Sequence, residues 1–246
     1  MTASALWLHC PAPLPDPAVR LVCFPHAGGS ASFFRDWARR LPGVEVHAVR
    51  YPGRAERIAE PPPTDLRLLG REVAGAVAEL ADRPVALFGH SMGAAVALET
   101  AVALEARGID PAHLFASGSR DAPYPPPGEW EESAEEDDAA VVERLLTLGG
   151  TDPELAADPD FQELVLPYVR ADGRMFHSYV PWPGPVVRCP VTTIAGDVDE
   201  DADRRPWSRL TRGAVREVGV PGDHFYLVAE PPLTLIRESL PSGAVR

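Results

Sequence analysis

Residues 87–99, "LFGHSMGAAVALE", decide the fold, because they place a serine between two glycines where a strand turns into a helix. The preceding run, Val85–Phe88, is short, apolar and partly β-branched, and the following run, Met92–Arg107, has the alanine-rich composition of a helix. Ser91 therefore lies on a sharp turn whose strained centre requires small neighbours, and the two flanking glycines supply them. The pattern G-x-S-x-G is typical of a nucleophile elbow.

Apolar runs and helical patterns alternate on both sides of this turn. The alternation predicts an α/β fold with a mostly parallel central sheet and helices on both faces. The further strands are predicted at Leu21–Phe24, Val44–Val49, Leu114–Ser117, Val191–Ala195 and Val215–Val218. The other helices of the sheet region are predicted around Ser32–Arg40, at Leu66–Ala81 and at Pro232–Leu240.

The interval from about 121 to 188 interrupts the alternation. It opens with the proline- and acid-rich stretch "DAPYPPPGEWEESAEEDD", whose charges indicate a solvated face, and then carries two helical patterns. One runs from about 139 to 148, and the second begins at Asp158, is interrupted at Pro167 and continues toward Tyr179. Helices inserted after a sheet strand would form a lid over the carboxyl edge of the sheet, where open α/β sheets place their sites.

The length and composition indicate one domain over residues 1–246, with the lid as an insertion. There is no run of about 18 apolar residues that could span a bilayer. The N-terminal stretch also has no basic start followed by a long apolar core. We therefore expect a cytoplasmic protein that has no membrane partner.

Charge and residue usage exclude several classes of function. The net charge of −13 argues against a nucleic-acid partner, and all 23 cations are arginine, which excludes chemistry through a lysine Schiff base. The three cysteines, Cys10, Cys23 and Cys189, are odd in number and far apart, which indicates neither a disulfide framework nor a zinc site. The histidines show no metal-ligand spacing. No cofactor and no metal are expected.

A serine hydroxyl is a weak nucleophile at neutral pH, so Ser91 needs a base and a third group that orients the base. His224, in "VPGDHFYLV", follows the last predicted strand, where the serine–acid–histidine order of α/β-hydrolases places the base. The acid is expected just beyond a strand end, and "VTTIAGDVDED" offers Asp197, Asp199 and Asp201. The G-x-x-D spacing favours Asp199, and the other two remain open.

Attack on an acyl carbonyl develops an oxyanion, which requires preorganised N–H donors. One donor is expected at Met92, directly after the nucleophile and at the start of a helix. The second is expected at Ala27, in the stretch "CFPHAGGSASFF" between a predicted strand and helix, whose glycines let the backbone approach a substrate. This stretch lacks the spacing of a phosphate-binding loop.

Four segments, "FPHAGGSASFFRDW", "YPGRAERIAEPP", "LFGHSMGAAVALE" and "PGDHFYLV", together closely resemble the type II thioesterases. These are stand-alone editing hydrolases of modular polyketide synthases and nonribosomal peptide synthetases, and the similarity covers nearly the whole chain. The resemblance implies an α/β-hydrolase fold with a helical lid and a Ser-Asp-His triad. It also implies hydrolysis of acyl thioesters on the phosphopantetheine arm of acyl or peptidyl carrier proteins.

Carried onto this chain, the resemblance makes Ser91 the nucleophile, Asp199 the acid, His224 the base, and the N–H groups of Ala27 and Met92 the oxyanion donors. The other enzyme classes that fit the same elbow are a general carboxylesterase or lipase-like serine hydrolase and an acyltransferase. A non-catalytic binding protein is disfavoured, because a serine, an acid and a histidine are all present.

Two local hypotheses follow from the segments that carry the resemblance. Arg54 and Arg57 are candidates for the phosphate of the carrier arm, and the alternative is that they pair with the nearby Glu56 and Glu60. Asp223 precedes the base directly and would influence its protonation.

Overall fold

The computed structural model describes residues 3–119, 138–147, 151–180, 182, 184, 186–199 and 207–240. The strands of these residues are β1 (Leu8–His9), β2 (Val19–Phe24), β3 (Val44–Val49), β4 (Val85–His90), β5 (His113–Ser117), β6 (Val191–Gly196) and β7 (Val215–Val220). They form one sheet in the order β1-β3-β2-β4-β5-β6-β7, in which β1 pairs antiparallel with β3 and all other neighbours are parallel. The predicted α/β fold with a mostly parallel sheet is confirmed.

The α-helices of the described residues are α1 (Ala3–Trp7), α2 (Trp37–Arg40), α3 (Leu66–Ala78), α4 (Met92–Glu105), α5 (Asp138–Thr147), α6 (Pro153–Ala156), α7 (Pro159–His177), α8 (Tyr226–Ala229) and α9 (Leu233–Ser239). The predicted strand ends lie within two residues of the observed ones. The helix predicted around 32–40 is instead a 3₁₀ turn at Ala31–Phe34 followed by α2.

Strand β4 is buried along its whole length and separates two hydrophobic clusters. Leu87 belongs to the cluster beneath α3 and α4, and Phe88 belongs to the cluster beneath α2 and α9. Because side chains of a strand alternate between the two faces, these neighbours point to opposite sides of the sheet. Helices therefore cover both faces, as the sequence predicts.

The insertion between β5 and β6 contributes α5, α6 and α7 to the described residues, and residues 120–137 of it lie outside them. Helix α7 begins as predicted, because the Asp158 side chain caps it by accepting from the N–H groups of Asp160 and Phe161. The predicted interruption at Pro167 is wrong, since α7 continues through it. The buried Leu166 and Val169 on either side pack against α5 and hold the helix together across the missing N–H.

The parallel strands all present their carboxyl ends at the same edge of the sheet. The loops that follow β2, β4, β6 and β7 there carry the sequence-predicted site residues. In the described ranges, no helix is long and apolar enough to cross a bilayer.

Candidate active site

Ser91 occupies the turn between β4 and α4 with φ 55° and ψ −125°, a conformation that side-chain-bearing residues rarely adopt. A Cβ on Gly89 would lie 2.2 Å from the carbonyl oxygen of Gly93, and a Cβ on Gly93 would lie 2.2 Å from that of Phe24. Any side chain at either position would collide with backbone. The two glycines are therefore required by close approach, which is the physical content of the G-x-S-x-G pattern.

His224 and Asp199 are in contact at the carboxyl edge of the sheet. His224 Nδ1 lies 3.0 Å from Asp199 Oδ2 and 3.2 Å from Oδ1, and both side chains are buried, at 7% and 1% exposure. A carboxylate only accepts hydrogen bonds, so it selects the tautomer that carries its proton on Nδ1. The Nε2 atom is then the basic nitrogen.

The other acids near the base have different partners. Asp197 Oδ1 accepts from the N–H of Gly222 at 2.9 Å on the surface, and Asp201 lies outside the described residues. Asp223 Oδ1 accepts from the N–H of Phe225 at 2.9 Å, so it closes the turn after the base. Of the described candidates, Asp199 is the one that contacts His224.

Ser91 and His224 extend from the loops after β4 and β7 at this shared edge. Among the described residues, the Ser91 hydroxyl makes no hydrogen bond to the His224 ring. In enzymes without a bound substrate this bond is often long and shortens when substrate binds.

The expected oxyanion donors are free in the described part of the chain. The neighbouring N–H groups in the loop after β2 are both used, Gly28 donating to Asp172 Oδ2 at 2.9 Å and Gly29 to the His26 carbonyl at 2.9 Å. The N–H of Ala27 donates to no group there. Met92 is the first residue of α4, so its N–H has no partner within the helix. Two backbone donors therefore remain available.

Two further histidines, His90 and His26, lie near the base, and burial favours the neutral form of both. The His90 ring centroid lies 5.0 Å from that of His224 and 5.9 Å from that of His26. Burial lowers the pKa of His26 to about 3 and lowers the pKa of His90 well below 6.5. His90 Nδ1 lies 3.0 Å from Ser117 Oγ, which lies 2.7 Å from the Tyr226 hydroxyl. When the base gains a proton, it therefore has no second imidazolium beside it.

Arg54 is not available to bind a phosphate, contrary to the expectation from sequence. Its Nη1 and Nη2 atoms each lie 2.5 Å from an oxygen of Asp172, and both side chains are almost fully buried. Arg57 pairs with Glu60, with Nη2 and Oε2 2.5 Å apart, as the alternative predicts. Both guanidinium groups are therefore committed to carboxylates.

Sequence reasoning missed Asp172, which lies on α7 with no exposure. The signal was its position, because Leu166, Val169, Asp172 and Met175 follow each other at three-residue spacing and all are buried. A charged side chain on the apolar stripe of a helix is seldom buried without a partner, so the pattern predicts a buried ion pair.

One group of potential metal ligands lies close together at the other end of the sheet. Atoms of Cys10, Glu45 and His47 lie within 4.8 Å of one another. The Glu45 carboxylate already accepts from Arg20 Nε at 2.9 Å, from the N–H of Leu14 at 2.7 Å and from the His47 ring at 2.9 Å. A cation beside the carboxylate opposes metal binding, so this group is better described as a hydrogen-bonded ion pair.

Comparison with known proteins gives the same family from sequence and structure. A family model described as a thioesterase domain matches residues 19–240. Thioesterase PikA5 of Streptomyces venezuelae is 40% identical over 230 residues, which cover 91% of this chain and 81% of that protein.

Two solved structures are similar over nearly their full length. The type II thioesterase BorB from the borrelidin biosynthetic cluster has a TM-score of 0.82 and 35% identity, covering 96% of this chain and 98% of that one. The thioesterase RedJ from the prodiginine biosynthetic pathway in Streptomyces coelicolor also has a TM-score of 0.82, with 36% identity, covering 93% and 95%. The family match includes every loop that carries a candidate site residue.

Proposed function

The chain belongs to the thioesterase family, and we propose that it hydrolyses acyl thioesters held on the phosphopantetheine arm of acyl or peptidyl carrier proteins. In this role it removes aberrant or stalled acyl groups from polyketide or nonribosomal peptide assembly lines. Similar solved structures support the proposal, since BorB is described as a type II thioesterase from a biosynthetic cluster and YbtT as a type II thioesterase from the yersiniabactin NRPS/PKS biosynthetic pathway. The family match confirms the resemblance to thioesterases that the sequence motifs indicate.

One observation carries the chemistry. The buried contact between His224 and Asp199 lies at the same sheet edge as the strained turn of Ser91. A nucleophile and an oriented base at one edge form the arrangement that serine hydrolases need.

Acylation begins when Ser91 Oγ attacks the thioester carbonyl and gives its proton to His224 Nε2. Asp199 keeps the ring in the required tautomer and stabilises the imidazolium that forms. The negative charge on the tetrahedral intermediate is stabilised by the N–H groups of Ala27 and Met92. As the carbon–sulfur bond breaks, the imidazolium protonates the thiolate, and the carrier leaves with a free phosphopantetheine thiol.

Deacylation repeats the sequence with water. His224 takes a proton from the water that attacks the acyl-enzyme, the same N–H groups stabilise the second intermediate, and the proton returns to Ser91 Oγ. The products are a carboxylic acid and the regenerated enzyme. A thioester carbonyl is readily attacked, so an editing enzyme needs acyl selectivity and carrier access more than additional catalytic power.

The test uses acyl groups of several lengths loaded on phosphopantetheinylated carrier protein and matched p-nitrophenyl oxyesters. Acyl release is followed by mass spectrometry for the wild type and for Ser91→Ala. Faster release from the carrier than from the oxyesters, with the wild type only, is the expected result. Turnover of oxyesters alone would instead indicate a general esterase, and acyl transfer to an added alcohol or amine would indicate an acyltransferase.

A further inference from the structure

Helix α7, part of the insertion that is predicted to form a lid, packs directly against the loop that follows β2. Gly28 in this loop has φ +77°, and a Cβ added to it would lie 2.8 Å from Val169 Cγ2 on α7. A side chain at this position would displace Val169 and would be strained by the positive φ, so glycine is favoured here. The loop expected to supply an oxyanion donor therefore forms part of the interface with the lid.

A single ion pair connects α7 to both residues that follow Ala27. Asp172 Oδ2 accepts from the N–H of Gly28 at 2.9 Å, and the same carboxylate binds Arg54 with two contacts of 2.5 Å. Arg54 Nη1 also donates to the carbonyl oxygen of Gly29 at 3.3 Å. The pair thus holds one N–H and one C=O of the turn at fixed positions.

The guanidinium group of Arg54 is itself fixed by two aromatic rings. Its central carbon lies 5.3 Å from the ring centroid of Tyr51 and 4.9 Å from that of Tyr168 on α7. The Tyr51 hydroxyl donates to the Pro25 carbonyl at 3.2 Å, on the other side of Ala27. The loop is therefore held before and after the expected donor by one connected network.

We infer that Asp172 and Arg54 are positioning residues that aim the Ala27 N–H at the oxyanion, so that the lid helix and the oxyanion loop act as one unit. This inference rests on the proposed function in one respect, the role of Ala27 as a donor. Replacing a buried ion pair by apolar side chains is often neutral or stabilising, so stability alone does not account for it. What the pair supplies here is a fixed backbone geometry, which an oxyanion hole requires.

Asp172→Asn keeps the size of the side chain but replaces one accepting oxygen by an N–H donor, which faces either Gly28 or Arg54. In either orientation the amide loses the charge and at least one of the contacts with Arg54, so the ion pair no longer fixes the turn. Because loss of a whole oxyanion donor costs about 100- to 1,000-fold in kcat, we expect a displaced donor to cost about 10- to 100-fold. The KM should change by less than about threefold, since the interaction is made in the transition state.

The experiment measures kcat and KM on p-nitrophenyl butyrate, the rate of labelling by a fluorophosphonate, and the inhibition constant of butylboronic acid. Boronic acids form a tetrahedral adduct on serine, whose oxygen occupies the oxyanion hole. The variants are Asp172→Asn and the double variant Arg54→Met with Asp172→Leu. The double variant leaves no unpaired buried charge and keeps the test available if Asp172→Asn alone does not fold.

Tyr179→Phe is the matched control. Tyr179 lies just after α7 and donates to the buried Glu99, so its loss weakens the attachment of the lid away from the oxyanion loop. Melting temperatures report folding for every variant. We expect both Asp172 variants to lose kcat and boronate affinity by the same factor, while Tyr179→Phe loses melting temperature only.

Folded Asp172 variants with unchanged kcat and boronate affinity would overturn the inference, and so would an equal loss in Tyr179→Phe. These readouts use no carrier protein, so they separate the two claims. If the wild type does not hydrolyse acyl groups on carrier proteins, the proposed function is contradicted, but the result on the positioning residues is unaffected.

Discussion

The contact between Asp199 and His224 allows the effect of Asp199→Asn to be worked out in advance. The carboxylate lies 3.0 Å from the ring nitrogen, and the pair is buried. With an effective dielectric constant of about 20, a unit charge at that distance stabilises the imidazolium by roughly 5.5 kcal/mol. Removing the charge should therefore lower kcat by about 10⁴-fold with little change in KM.

The two other acids of the loop provide matched controls for this substitution. Asp197→Asn alters one surface hydrogen bond to the N–H of Gly222, which is worth about 1 kcal/mol of stability or less, so its kcat should stay within about threefold. Asp201→Asn should behave in the same way. Steady-state hydrolysis of an acyl-N-acetylcysteamine thioester measures all three variants. A larger loss of activity in Asp197→Asn or Asp201→Asn than in Asp199→Asn would refute the role of Asp199 as the acid.

Three further substitutions test the packing. Gly93→Ala places a methyl group 2.2 Å from the carbonyl oxygen of Phe24 and should abolish folding or Ser91 labelling. On α7, a methyl group at Gly173 would meet no described atom within 4 Å apart from its own helix and chain neighbours, so Gly173→Ala should keep both. Circular dichroism and fluorophosphonate labelling distinguish the two variants. Pro167→Ala restores a helical N–H in α7 and should raise the free energy of unfolding by about 1 kcal/mol or more in urea titrations, and a decrease would contradict this. Burial lowers the pKa of His113 to about 4, so between pH 6.5 and 4 only the unfolded chain binds this proton and stability falls as pH falls, by about 1.4 kcal/mol per pH unit. His113→Gln should flatten the profile between pH 6.5 and 5, and parallel profiles would refute the assignment.

The elements that position the nucleophile could be predicted from sequence because local chemistry determines them. The turn at Ser91 needs glycine on both sides, which is visible as a short motif. The buried strands are visible as short apolar runs in the sequence. The elements that sequence reasoning missed, α1, β1, α6 and α8, have two to five residues, too few to show a period. The local pattern predicts an interruption of α7 at Pro167, but the helix continues there because of tertiary packing that a local pattern does not contain.

The choice of the acid shows the limit of predictions that are made from local sequence spacing. The spacing limits the candidates for the catalytic acid to three aspartates. Which of them contacts His224 depends on how two loops, separated by 25 residues in sequence, approach each other. The pair formed by Arg54 and Asp172 spans 118 residues, and the motif around Arg54 suggested only neighbouring partners. The signal for this pair is Asp172 itself, because an acid on the apolar stripe of α7 requires a buried cationic partner.

The proposed mechanism requires a covalent acyl group at Ser91, and rapid acid quenching tests for this group directly. The wild type is mixed with an acyl carrier protein in a quench-flow device, and intact mass and peptide mapping follow the products over milliseconds to seconds. We predict an early adduct of the acyl mass on the peptide that contains Ser91, formed together with an equal amount of free carrier thiol and absent from Ser91→Ala. Release of the carrier thiol by Ser91→Ala at the wild-type rate, or an adduct on another residue, would contradict the mechanism.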